Sequence, residues 1–187
     1  FARHLLDEMK LGHVKVEETK LGDHYDPDAK AVRLEPRFMN GRSLSAVVIA
    51  AHEVGHAMQD AMGLPMFQRR LKLAKTAQTF SWIASAFVFA APLLMVLGKG
   101  PAALIFNVVG FVGMGIMSIA TQITTLPVEF DASFNRALPL LQRGKFIDDR
   151  DMPAARNLLR AAAYTYVAGL LRTLISIPGM GRLPKMW

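Results

Sequence analysis

The chain has no cysteine, which excludes a disulfide framework and any thiolate metal site. A zinc ion would have to be held by histidine and carboxylate groups. Charge is scarce, at 20% of residues, and is missing altogether from two long stretches, 76–98 and 100–128. Acid is the scarcer sign: 15 Asp and Glu stand against 22 Lys and Arg, a net charge of +7. Such a balance raises nucleic acid as a partner, but no aromatic-interleaved basic stripe occurs. The basic residues instead flank the uncharged stretches, so the reading is membrane flanks and no nucleic acid. Hydrophobic residues make up 52% of the 187, and mean hydropathy is positive, both high for a soluble protein of this size. The chain opens at Phe1 with neither Met nor a signal-like segment, so it is expected to be an interior piece of a longer protein.

Crossing a bilayer core takes about 20 consecutive apolar residues, and both uncharged stretches meet that length. With Lys99, Gly100 and Pro101 as a tight turn between them, they predict a transmembrane helical hairpin. Pro92 predicts a kink in the first span, which membrane helices tolerate. Gly110, Gly113, Gly115 and Ser118 form a small-residue face for close packing against the first span. The turn carries only Lys99. Arg69, Arg70, Lys72 and Lys75 precede the first span, and Arg136, Arg143 and Lys145 follow the second. Positive charge accumulates on the cytoplasmic side of spans, so the turn is expected to face away from the cytoplasm.

What is present most distinctively is the stretch Ser43 to Met62, SLSAVVIAAHEVGHAMQDAM. At 3.6 residues per turn, His52 and His56 share one helix face, where both imidazoles can reach a single ion. Glu53 lies about a quarter turn away, suited to a base that polarises metal-activated water without ligating the metal. Apolar residues surround the motif on every side, so the helix is expected to be buried. Three ionisable groups buried without partners would cost several kcal/mol. A metal supplies the partner. Gly55 is expected to keep the opposite side of the helix slim, Ser43 or Ser45 to cap its start, and Gly63 and Pro65 to mark its end.

Before this helix, 2–11 reads as an amphipathic surface helix ended by Gly12, and HVKVEE (13–18) and AVRL (31–34) alternate as two short strands. The loop between them holds His24, Tyr25, Asp26 and Pro27, residue types that build polar turns but also suit a site loop. A catalytic zinc takes three protein ligands and keeps a position for water, so a third ligand is expected after the hairpin. Glu129 is the first acid there, and Asp131 is its competitor. Pro153 opens a last helix through Ile177, in which 154–178 could span the bilayer only if Arg172 snorkels or faces protein. Tyr164 and Tyr166 on it are packing aromatics or oxyanion donors.

HEVGHAMQ followed, after a two-span hairpin, by LPVEFDAS is similar to the bacterial membrane-bound neutral zinc metallopeptidase family, often called YugP-like. The resemblance takes in DHYDP before the helix and AAAYTYVAGL after the hairpin. It implies that His52, His56 and Glu129 bind one Zn2+ and that Glu53 is the base, in a core similar to the Glu-liganded zincins. In related membrane zincins an Asp four residues after the liganding Glu supports a His ligand. Here that place is Ser133, and Asp131 becomes a candidate for the role. The family also begins with a further membrane-spanning segment, which this stretch lacks.

The expected fold is a mainly α membrane protein: a gluzincin-type metalloprotease core, a two-stranded β element and a transmembrane hairpin. The expected divisions are 1–75 with the HEVGH helix, 76–128 as the hairpin, and 129–187 with the third-ligand helix. The expected function is that of an integral membrane zinc endopeptidase using metal-activated water with Glu53 as general base. The alternative is an inactive zinc-containing membrane scaffold or chaperone. Asp131, Ser133, His24 and Tyr166 are the candidates for support of the ligands or of the transition state. The partners are the bilayer and a membrane-associated peptide or protein substrate, which could add a strand beside Ala31 to Leu34. The location is the bacterial inner membrane, with the active site on the cytoplasmic side.

Overall fold

Ser43 caps the helix that organises the protein, its Oγ accepting from the Ala46 N–H at 3.2 Å. A computed structural model describes residues 1–175, apart from the side chains of Tyr166 and 173–175. Its elements run α1 (Ala2–Glu8), β1 (Lys15–Glu18), β2 (His24–Asp26), β3 (Ala31–Leu34), α2 (Pro36–Met39) and α3 (Leu44–Ala61). There follow α4 (Pro65–Val96), α5 (Gly100–Phe130), a π-helical segment (Asp131–Ala137), α6 (Leu138–Arg143), a 3-10 turn (Asp149–Asp151) and α7 (Met152–Ile175). The chain forms two compact units, one of Phe1–Gln68 with Leu126–Thr165, the other of Arg69–Thr125 with the chain from Tyr166.

In the first unit, α3 is buried continuously from residue 50 to 57. Helix α1, the sheet, α2, α6 and the π-helical segment all pack on it. Leu5 and Leu6 of α1 are fully buried, as the amphipathic pattern predicts. The helix stops at Glu8, sooner than expected, and Lys10 then takes a left-handed φ of 59°.

The sheet has three strands where the sequence predicts two, in the order β1-β3-β2. The DHYDP loop supplies the extra one. His24–Asp26 runs antiparallel to β3, pairing Tyr25 with Val32, while β1 runs parallel to β3, pairing Val16 with Val32. Asp26 then builds the turn: its Oδ1 accepts from the Asp28 and Ala29 N–H groups, each at 2.9 Å. The central strand is therefore β3, with both edges already paired. A substrate strand cannot add beside Ala31–Leu34, because the backbone groups it would use are taken.

Tyr25 and Lys30 tie the sheet to α3 through Asp60. The Tyr25 hydroxyl donates to Asp60 Oδ2 at 2.7 Å, and the Lys30 ammonium donates to the same oxygen. Burial, the bond to Asp60 and the negative charges of Asp60 and Asp26 hold the Tyr25 phenol well above its ordinary pKa.

Within the second unit, Ala84 of α4 meets α5 at Gly110, where an added Cβ would stand 3.4 Å from the Ala84 Cβ. At Gly113 a Cβ would stand 2.3 Å from the Phe80 ring. Those two glycines are the small-residue contact; Gly115 has nothing within 4 Å of its Cβ position and takes no part. Phe87 stacks on Phe106 with ring centroids 4.7 Å apart. Helix α4 has 32 residues, about 48 Å of helix against a hydrocarbon core of about 30 Å. Both α4 and the helix running on from Gly100 are long and apolar enough to cross a membrane. Trp82, Phe89 and Val96 lie exposed along the first of them.

Candidate metal centre

The single turn from His52 to His56 lies where α3 is most deeply packed, with His52 8%, Glu53 7% and His56 6% exposed. The His52 and His56 rings meet edge-on at 4.8 Å. Glu129, 2% exposed, enters from the C-terminal end of α5. Its Oε2 lies 3.2 Å from His52 Nε2 and 3.3 Å from His56 Nε2. A tetrahedral zinc with bonds of about 2.0–2.1 Å separates neighbouring ligand atoms by about 3.3 Å. The two nitrogen-to-carboxylate distances therefore already match neighbouring corners of a zinc tetrahedron, and the three ligand atoms all lie within 4.8 Å of one another, so the residues fit the ion. Asp131 does not join the group.

Glu53 is set off from these three, as its position next to His52 requires. Burial pushes its carboxyl up to about 7, against the opposing pull of His52, with Glu129 and Asp23 adding to the rise and His24 lowering it. A carboxylate poised near neutrality can both take and return a proton.

The π-helical segment brings further groups to the two imidazoles. Ser133 Oγ, fully buried, lies 3.2 Å from His52 Nδ1. Asp131 lies on the other side of the centre: its Oδ2 accepts from Gln59 Nε2 at 2.9 Å, and Gln59 Oε1 lies 2.9 Å from His56 Nδ1. The sequence reasoning missed Gln59. Its signal was a polar side chain seven residues after His52 and three after His56, on the ligand face of an otherwise apolar helix.

Gly55 does not merely slim the far side of α3. It faces the π-helical segment, where a Cβ would stand 2.8 Å from the Ala132 carbonyl oxygen and 3.3 Å from Arg136 Cβ. His24 is half-buried, its Nδ1 donating to the Gly22 carbonyl at 2.8 Å, outside the His52, His56 and Glu129 group. Tyr164 is half-exposed and packs edge-on against Phe130 at 6.0 Å, as a packing aromatic. The Tyr166 side chain, and any span reaching beyond residue 175, lie outside the described residues.

Compared with family profiles, residues 1–180 match the one described as "Putative neutral zinc metallopeptidase". The chain belongs to this family. It is also 35% identical over 182 residues to a Bacillus subtilis (strain 168) protein named "Putative membrane protease YugP", a match covering 94% of this chain and 75% of that one. No solved structure matches the chain. As a member of the zinc metallopeptidase family, the protein carries its buried His52, His56 and Glu129 group in the segments that the sequence resemblance singled out.

Proposed function

We propose that the protein is an integral membrane zinc endopeptidase with a gluzincin-type core, in which His52, His56 and Glu129 hold one zinc ion and Glu53 is the general base. The observation that carries this reading is the convergence of two imidazole Nε2 atoms on one carboxylate oxygen at 3.2 and 3.3 Å, beside a buried carboxyl poised near 7. Bound zinc would supply Lewis acidity, polarising a peptide carbonyl and acidifying water. Glu53 takes the proton of the attacking water and returns it to the leaving amine, a relay that its raised pKa favours. The surrounding apolar packing excludes bulk water and strengthens the electrostatics of the site.

An inert zinc-containing scaffold is the second reading. A closed structural site takes four protein ligands, whereas the described residues bring three together. That favours the hydrolytic reading.

The basic residues before the first span and after the second support a cytoplasmic active site in the bacterial inner membrane. Glu129 follows an uncharged span directly, which supports an ion near the headgroup layer and juxtamembrane substrates. Of the sheet edges, β2 suits an extended substrate better than β1, since His24 and its neighbour Asp23 act electrostatically on Glu53.

Replacing Glu53 with Gln tests the assignment: the variant should keep stoichiometric zinc and lose peptide hydrolysis. Loss of zinc from it would make Glu53 a ligand and overturn the reading.

A further inference from the structure

Gln59 is fully buried, with every polar hydrogen and its oxygen engaged. Its Nε2 donates to the Val128 carbonyl at 2.8 Å and to Asp131 Oδ2 at 2.9 Å. A backbone carbonyl accepts only, and so does an ionised carboxylate. Asp131 also accepts from Asn135 Nδ2 at 2.9 Å and Arg136 Nε at 3.2 Å, and the Val128 carbonyl, which has no hydrogen to give, fixes the amide by itself. The Gln59 amide therefore has one orientation, with both hydrogens toward α5 and the π-helical segment and its oxygen toward His56 Nδ1, 2.9 Å away. An amide oxygen donates nothing, so His56 Nδ1 must carry the hydrogen. In a neutral imidazole that leaves Nε2 with a bare lone pair, and Nε2 is the atom that faces Glu129 Oε2 at 3.3 Å.

Among the described residues, no comparable constraint acts on the other ring. The Ser133 hydroxyl beside His52 Nδ1 can donate or accept, so it suits either tautomer. The same amide also grips Val128, the residue before Glu129, and so gauges the distance between the helix that carries two nitrogen donors and the one that carries the carboxylate.

We propose that Gln59 is a positioning residue, which locks His56 in the metal-ligating tautomer and relays the Asp131 carboxylate to it through its amide. The proposal rests on reading His52, His56 and Glu129 as zinc ligands.

The test uses the full chain in lipid nanodiscs and measures zinc affinity, thermal stability and, in 15N-histidine-labelled zinc protein, solvent exchange of the His56 Nδ1 hydrogen. Gln59→Met keeps side-chain volume and removes the amide, and zinc affinity should fall by about 10–100-fold with loss of exchange protection at His56 Nδ1. Gln59→Glu sets a second carboxylate against Asp131 and should bind zinc at least as poorly.

A packing role alone predicts otherwise. Gln59→Met would then lower stability while zinc affinity and His56 protection stayed as they are, and that result overturns the proposal. Zinc bound natively and lost in Glu129→Ala, with the Gln59 series flat, rejects the relay and leaves the ligand assignment standing. Failure of the native protein to bind zinc rejects both.

Discussion

Gly55 lies against Ala132 with no room for a side chain: a Cβ at Gly55 would stand 2.8 Å from the Ala132 carbonyl oxygen. The HEVGH helix and the π-helical segment that continues from Glu129 therefore approach closely here.

Gly55→Ala should therefore loosen the metal centre. Alanine gains about 1 kcal/mol of helix propensity over glycine, but overpacking costs about 1–3 kcal/mol, and the clash is with a backbone oxygen that cannot rotate away. The expected outcome is a lower melting temperature together with lower zinc occupancy. Unchanged zinc content at an unchanged melting temperature would show that the two helices part freely.

Glu129 and Asp131 should separate cleanly as ligand and support. Glu129→Ala removes a donor atom and should cost both zinc stoichiometry and thermal stability, because ligation couples segments far apart in the chain. Asp131→Ala should keep one zinc per chain at an affinity weaker by about 10–100-fold. Metal analysis after dialysis against a weak chelator distinguishes them, and zinc lost from the Asp131 variant but kept by the Glu129 variant would reverse the assignment.

The Asp60 junction holds the sheet to α3 without touching the metal centre. Tyr25→Phe removes one buried hydrogen bond and should cost about 1 kcal/mol of stability, leaving zinc affinity unaltered. Asp60→Ala should cost more, since it strands both the Tyr25 hydroxyl and the Lys30 ammonium. Chemical denaturation alongside zinc titration checks the pair; a fall in zinc affinity with Tyr25→Phe would mean that the sheet helps to position the ligands.

Gly100 opens α5, and nothing lies within 4 Å of a Cβ placed there. In this cysteine-free chain, Gly100→Cys should react with a membrane-impermeant thiol reagent added to intact cells from outside. Labelling that needs the cytoplasmic face opened would invert the proposed orientation.

The two long apolar helices and the shared face of His52 and His56 were legible from the sequence because each is a local property. A run without charge identifies itself, and a spacing of four residues places two side chains on one helix face whatever the helix packs against. The third strand was not legible. His24–Asp26 is three residues long, and only pairing with β3 turns that polar loop into a strand. Glu129 was preferred to Asp131 as the first acid after the hairpin and by the resemblance, but residue type alone separates them little, since two carboxylates two residues apart differ in composition by almost nothing.

Tertiary structure separates the two carboxylates through rotation. Helix α5 aims Glu129 at both imidazoles, and the π-helical winding that follows turns Asp131 toward Gln59 and Ser133 toward His52. The partners of Gln59 lie 69 and 72 positions along the chain, a separation that no periodicity spans. Local pattern thus determined which residues could carry zinc chemistry. Packing of α3 against the π-helical segment and the last turn of α5 decided which carboxylate meets the histidines and which groups hold them, because hydrogen-bond geometry exists only once the distant segments are in contact.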